Sequence, residues 1–110
     1  MEIPEKVGYK VLYVPTCIIT SPCLLWAVVA STNNNKGNLH LYIYDSRGSI
    51  DNLVFEFIVG IWQMISFTPA IPIPFINGLY VDVPDGAVVC IYYEPSYNEE
   101  KLKRKRWEFD

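Results

Sequence analysis

The stretch Pro74–Glu94, PFINGLYVDVPDGAVVCIYYE, decides the fold class. Leu79, Val81 and Val83 alternate with Tyr80 and Asp82, the period of a half-buried strand. Pro84, Asp85 and Gly86 then reverse the chain, with Gly86 free to take the positive φ that short hairpins use. The stretch reads as two strands joined by a tight turn. Its second strand, Ala87 to Tyr93, hardly alternates, because Val88, Cys90 and Tyr92 are as apolar as Val89 and Ile91. Such a strand is either central and covered on both faces, or has one face that meets another protein.

The same grammar of short β patterns and turns extends outward in both directions. Val7–Val14 is a candidate strand stopped by Pro15, and Cys23–Ala30 is apolar on both faces, as expected in the middle of a sheet. Ser31–Asn38 (STNNNKGN) is a polar loop. In the next strand Leu39, Leu41 and Ile43 face one side, with His40, Tyr42 and Tyr44 on the other. Asp45 follows in a turn, placed to accept backbone hydrogen bonds. Leu53–Ile58 and Ile61–Phe67 are two further strands about Val59 and Gly60, each carrying one polar residue, Glu56 and Gln63. Thr68–Phe75 holds Pro69, Pro72 and Pro74, and three missing amide donors exclude a central strand. That segment is an extended edge or a crossing loop with Ile71, Ile73 and Phe75 as apolar teeth. The pattern predicts an all-β protein, an antiparallel sandwich or jelly roll of about seven to eight short strands.

Beyond Pro95 the character changes. Asn98 can cap a helix, Glu99 and Glu100 fall in its first turn, and Glu99–Lys103 and Glu100–Arg104 are i, i+4 pairs. The chain is thus expected to comprise a β domain over residues 1–94 and a charged arm or short helix over 95–110.

At 110 residues the chain supports one core. It is 51% hydrophobic and only 19% charged, below the roughly 25–35% charged side chains of a freely soluble surface. That shortfall points to burial by partners or to a dense aromatic core. Residues 1–94 carry four basic against eight acidic side chains, and residues 95–110 five against four, so nothing points to nucleic acid. The first ten residues lack the pattern of a signal peptide, and no apolar run reaches the ~20 residues of a membrane span. Three cysteines, Cys17, Cys23 and Cys90, read as small buried hydrophobes of a reducing cytoplasm, with a Cys17–Cys23 bridge left open.

The residues offer little chemistry. His40 is the single histidine and lies on a tyrosine-bearing strand face, and no cysteine spacing suggests metal. Asp45, Asp51, Asp82 and Asp85 all flank turns, where aspartates serve the backbone. No phosphate-cradling glycine loop, nucleophile elbow or Cys/His dyad is present. The expectation is a protein without catalytic residues, metal or cofactor. The strongest charge feature is Lys101–Arg106 followed by Trp107, which reads as a tether for an acidic protein surface or as a solvated face.

LLWAVVAS (24–31), LYIYDSRGS (41–49), Pro74-Phe75 followed by GLYVDV (78–83), and VVCIYYE (88–94) stand in an order that resembles small tailed-bacteriophage virion proteins. The resemblance covers about residues 23–94. It implies a compact β-sandwich or jelly roll serving as a capsid decoration (cement) protein in the virion, assembled in the host cytoplasm. It further implies capsid protein subunits as partners and a homotrimer around three-fold positions. The proline-rich segment and the basic tail are not part of that pattern. Ile71, Pro72, Ile73, Pro74, Phe75, Val88 and Tyr92 are the candidate contacts on the β domain, with Lys101, Lys103, Arg104, Lys105, Arg106 and Trp107 on the arm. The alternatives are a receptor- or carbohydrate-binding module of a tail or head fibre, through Tyr42, Tyr44, Tyr80, Trp62 or Trp26, and a head–tail or tail ring component.

Overall fold

A computed structural model describes residues 7–32 and 38–95. The expected arm, including Lys101, Lys103, Arg104, Lys105, Arg106 and Trp107, and most of the asparagine-rich loop lie outside the described residues. Among the described residues there are nine strands: β1 (Gly8–Leu12), β2 (Thr16–Ile19), β3 (Cys23–Thr32), β4 (Leu39–Tyr44), β5 (Leu53–Val59), β6 (Met64–Phe67), β7 (Ile73–Phe75), β8 (Leu79–Asp82) and β9 (Ala87–Pro95). The element missing from the sequence reading is β2, whose four residues lie between Pro15 and Pro22 and are too few to show a period.

All pairings are antiparallel and fall into two packed sheets. The first sheet runs β1-β9-β3-β6, and β7 lies beside β3 on the same edge as β6. There β6 pairs with Val28–Ser31 and β7 with Cys23–Leu25. The second sheet runs β2-β8-β4-β5. With β6 and β7 taken as one interrupted strand, eight strands divide four and four, interleaving early and late segments of the chain. That is the double Greek key of a jelly roll. Of the successive strand pairs, β4–β5 alone is hydrogen-bonded.

This topology corrects the expected hairpin. The turn after Asp82 forms as read, with the Ala87 amide donating to the Pro84 carbonyl at 3.2 Å and Gly86 at φ +94°. Its two strands nevertheless belong to different sheets: β8 pairs with β2 and β4, and β9 with β1 and β3. Val83, only 3% exposed, is drawn into the interior at the crossover. Sheets stacked about 10 Å apart are within reach of a four-residue link.

The core forms between the sheets from the alternate residues of each strand. Leu41 and Ile43 of β4, Leu79 and Val81 of β8, Val89 and Ile91 of β9, and Val28 and Ala30 of β3 are fully buried. Cys23 joins them, and burial, with smaller contributions from Asp45 and Cys17, pushes its thiol up to about 12. All three cysteines are free, which settles the Cys17–Cys23 question against a bridge. Burying one large aliphatic side chain contributes about 1.5–3 kcal/mol, so this layer carries the stability of the domain.

Candidate functional site

The Asp45 side chain is heavily engaged, and it serves the fold. Its carboxylate accepts from the Ile76, Asn77 and Gly78 amides at 3.1, 2.7 and 3.3 Å, tying the β4–β5 loop to the β7–β8 link. It accepts backbone hydrogen bonds as expected, but from amides more than thirty residues away. Gly78 sits in this junction at φ +155°, where a Cβ would come within 2.6 Å of the Ile19 carbonyl and 2.7 Å of the Ser46 carbonyl. A shallow polar hollow beside it is lined by Asp45, Arg47, Ser49, Asp51 and Asn77. Among the described residues no group of three His, Cys, Asp or Glu side chains is placed to hold a metal ion. No helix among them is long and apolar enough to cross a membrane.

Three surfaces remain. On the outer face of the first sheet, Tyr9 and Val11 of β1 pair in register with Tyr92 and Cys90 of β9, which pair in turn with Ala27 and Val29 of β3. Val88, Ser31 and Met64 form the next row. These rows contain no charged side chain. Tyr9 is 66% exposed and its ring lies 5.9 Å from that of Tyr92. Cys90 first, through its proximity and a hydrogen bond, and burial second raise the Tyr92 phenol above its ordinary value. The strand β9 is therefore covered once: Ala87, Val89 and Ile91 face the core, while Val88, Cys90 and Tyr92 are half-exposed. At one end of this face Glu94 is buried and accepts from the Trp26 indole at 3.2 Å.

The outer face of the second sheet has the opposite chemistry. His40, Tyr42, Tyr44 and Tyr80 form a file with ring centroids 5.9–6.3 Å apart. Glu56 and Asp82 lie directly across from Tyr42 in register, and Glu56 meets the His40 Nδ1 at 2.9 Å. Desolvation first, then the Glu56 carboxylate, raises the Tyr42 phenol; for Tyr44 the order is desolvation, then Asp82.

The third surface is the flank where β5 edges one sheet and β6 the other. Phe55, Phe57 and Phe67 close the gap between the sheets with centroids 5.2–5.7 Å apart, each half-exposed. Around them Ile50, Leu53, Val54, Ile58, Ile61, Trp62 and Met64 are 39–71% exposed. Residues 52–67 contain one charge, Glu56. The crossover between β5 and β6 is fastened to β3: Thr32 Oγ1 donates to the Gly60 carbonyl at 2.6 Å, and the Thr32 amide to that of Gln63 at 3.0 Å. Gln63 Oε1 accepts from the Gly60 amide at 2.9 Å. This clamp holds Trp62 at φ +55°, a conformation costly for a bulky side chain, with the indole 67% exposed.

The candidate contacts separate on this scaffold. Val88 and Tyr92 lie together on the outer face of the first sheet. Ile71 is 38% exposed, Pro72, Ile73 and Pro74 are half-buried, and Phe75 is fully buried as part of the core. As the prolines required, β7 is an edge strand. The β5–β6 flank was missed as a surface, because Leu53–Ile58 and Ile61–Phe67 read equally well as core strands. The available signal was their shared poverty of charge. No protein-family model, no curated protein and no solved structure matches this chain.

Proposed function

We propose that this protein is a non-catalytic structural component of a bacteriophage virion, a capsid decoration (cement) protein that binds capsid subunits and stabilises their lattice. The observation that carries the reading is the set of charge-free rows across the outer face of the first sheet, four strands wide, with Val88 and Tyr92 among them and the charge of Glu94 buried at one end. An apolar protein surface is the partner that such a face fits, since apolar contact gains about 25 cal/mol per Å2 before the costs of association. The jelly-roll body supplies rigidity, and its use in viral capsid proteins is a fold-level analogy in favour. Lys101–Arg106 and Trp107 would add charge-assisted docking on an acidic capsid surface. The test is incorporation into virions of Val88→Lys and Tyr92→Lys proteins that melt like the natural one. The reading expects incorporation to collapse while folding persists, with hundreds of copies per natural virion. Unchanged incorporation would overturn it, as would six or twelve copies, the number for a connector or tail ring.

A second reading is favoured by the file of His40, Tyr42, Tyr44 and Tyr80 beside Glu56 and Asp82: a receptor-binding module that stacks sugars on its tyrosines. Glycan-array binding that disappears in Tyr42→Ala and Tyr44→Ala would favour this reading, and a blank array would remove it.

A further inference from the structure

We infer that the basic segment Lys101–Arg106 docks on the outer face of its own chain's second sheet, over the tyrosine file between Glu56 and Asp82. The segment, KLKRKR, carries five cations and no carboxylate. The described residues hold two basic side chains, Lys10 and Arg47, against six acidic ones. Asp45 is held by three amides, Asp51 by the Ser49 hydroxyl and Glu94 by the Trp26 indole, and Asp85 sits in the 83–86 turn. Glu56 and Asp82 remain, and they flank Tyr42 in register, one on each neighbouring strand. Asp82 is half-exposed, and its carboxylate has no hydrogen-bond or ion-pair partner among the described residues. The strands of this sheet contain no lysine or arginine. Rings alternating with carboxylates suit guanidinium and ammonium groups, which stack on tyrosine faces and pair with the acids beside them.

The chain also leaves the β domain at the end from which this face is reached. Because the 83–86 crossover joins the end of β8 to the start of β9, β9 finishes where β8 begins. There Pro95 pairs with Cys23 and Leu79 with Ile19, and only residues 20–22 separate Ile19 from Cys23. Three residues thus bridge the two sheets at this end. Residues 96–100 can span up to ~17 Å, more than the about 10 Å between sheets, enough to bring Lys101 to the paired Tyr80 and Tyr44. From Tyr44 the file continues along β4 to Tyr42 and His40 at centroid spacings of 6.3 and 6.2 Å. Six extended residues reach ~20 Å and can follow it. A tether this short holds the segment at an effective concentration in the millimolar range over its own face, so other occupants meet it at a disadvantage. Capsid docking plays no part in this contact; in the virion reading, an acidic capsid surface has to displace the arm.

NMR spectra of the full chain at low salt test the contact. Lys103→Glu combined with Arg104→Glu should shift the ring and amide signals of Tyr42, Tyr44 and Tyr80, and leave those of Tyr9 and Tyr92 on the other sheet in place. Raising the salt to about 0.5 M should produce the same shifts in the natural chain. Lys103→Arg keeps the charge and should move neither group. In the reverse direction, Asp82→Asn combined with Glu56→Gln should carry the signals of residues 101–106 to their high-salt positions. Unmoved Tyr42, Tyr44 and Tyr80 signals in the arm variant would overturn the inference, as would shifts on the Tyr9–Tyr92 face. Shifts that grow with protein concentration would do the same, because they would put a second copy's arm on the face.

Discussion

The loop at 45–52 and the turn at 83–86 both reverse the chain with aspartate and glycine, yet they do different things. The first closes β4 onto its hydrogen-bonded neighbour β5, with the Asp45 amide donating to the Asn52 carbonyl at 3.0 Å and Asn52 at φ +59°. The second sends β8 and β9 into opposite sheets, where the two strands face each other across the core. Aspartate, glycine and proline specify that the chain reverses. Whether the strands then pair depends on partners far away in sequence: β2 and β4 for β8, β1 and β3 for β9.

Substitutions at these reversals test the contrast. The largest effect is expected at Gly78→Ala, where a methyl group would meet two backbone carbonyls in the junction that the 45–52 loop makes with β8. A loss of about 2–4 kcal/mol is expected, a fall of roughly 10–20 °C in thermal midpoint. Asp45→Ala removes the acceptor of three amides and should cost about 2–3 kcal/mol by denaturant titration. If it costs nothing, the loop is not what registers β4–β5 against β8. In the crossover, Gly86→Ala should cost about 1 kcal/mol, because a single left-handed residue is all the turn asks of it. Trp62→Gly, at the other crossover, should raise stability by about 0.5–1 kcal/mol by releasing the left-handed strain. The same change should weaken any association that uses the exposed indole.

The smallest expected effect is chemical. Cys23, with its thiol near 12, should resist labelling in the native protein at pH 8, while half-exposed Cys17 and Cys90 react. Because folding raises this pKa, the neutral thiol supports the fold below pH 9, and that support is lost as pH rises from about 9 towards 12.

Strand identity was legible wherever alternation ran for several residues. In β4, the assignment of Leu41 and Ile43 inward and His40, Tyr42 and Tyr44 outward holds residue for residue. The central place of β3 followed from its two apolar faces, and the edge place of β7 from its prolines. Glu56 and Gln63 looked alike in sequence as single polar residues on apolar strands. In the structure Glu56 meets His40 across the sheet, whereas Gln63 lies in the crossover and caps Gly60. Val88 and Tyr92 were legible as a second apolar face, but their neighbours Tyr9, Val29 and Met64 come from three other strands that no local pattern connects to them.

The sequence by itself determined an all-β chain, most of its strands, the places where it turns, and which residues of each alternating strand face inward. These follow from local stereochemistry: a period of two, missing amides at proline, and positive φ at glycine. Tertiary structure alone decided that the 83–86 turn crosses between sheets, that Asp45 anchors a distant link, and that the charge-poor segment 52–67 forms an open flank. Those outcomes depend on which strands share a sheet, and sheet membership is fixed by burying every apolar face at once.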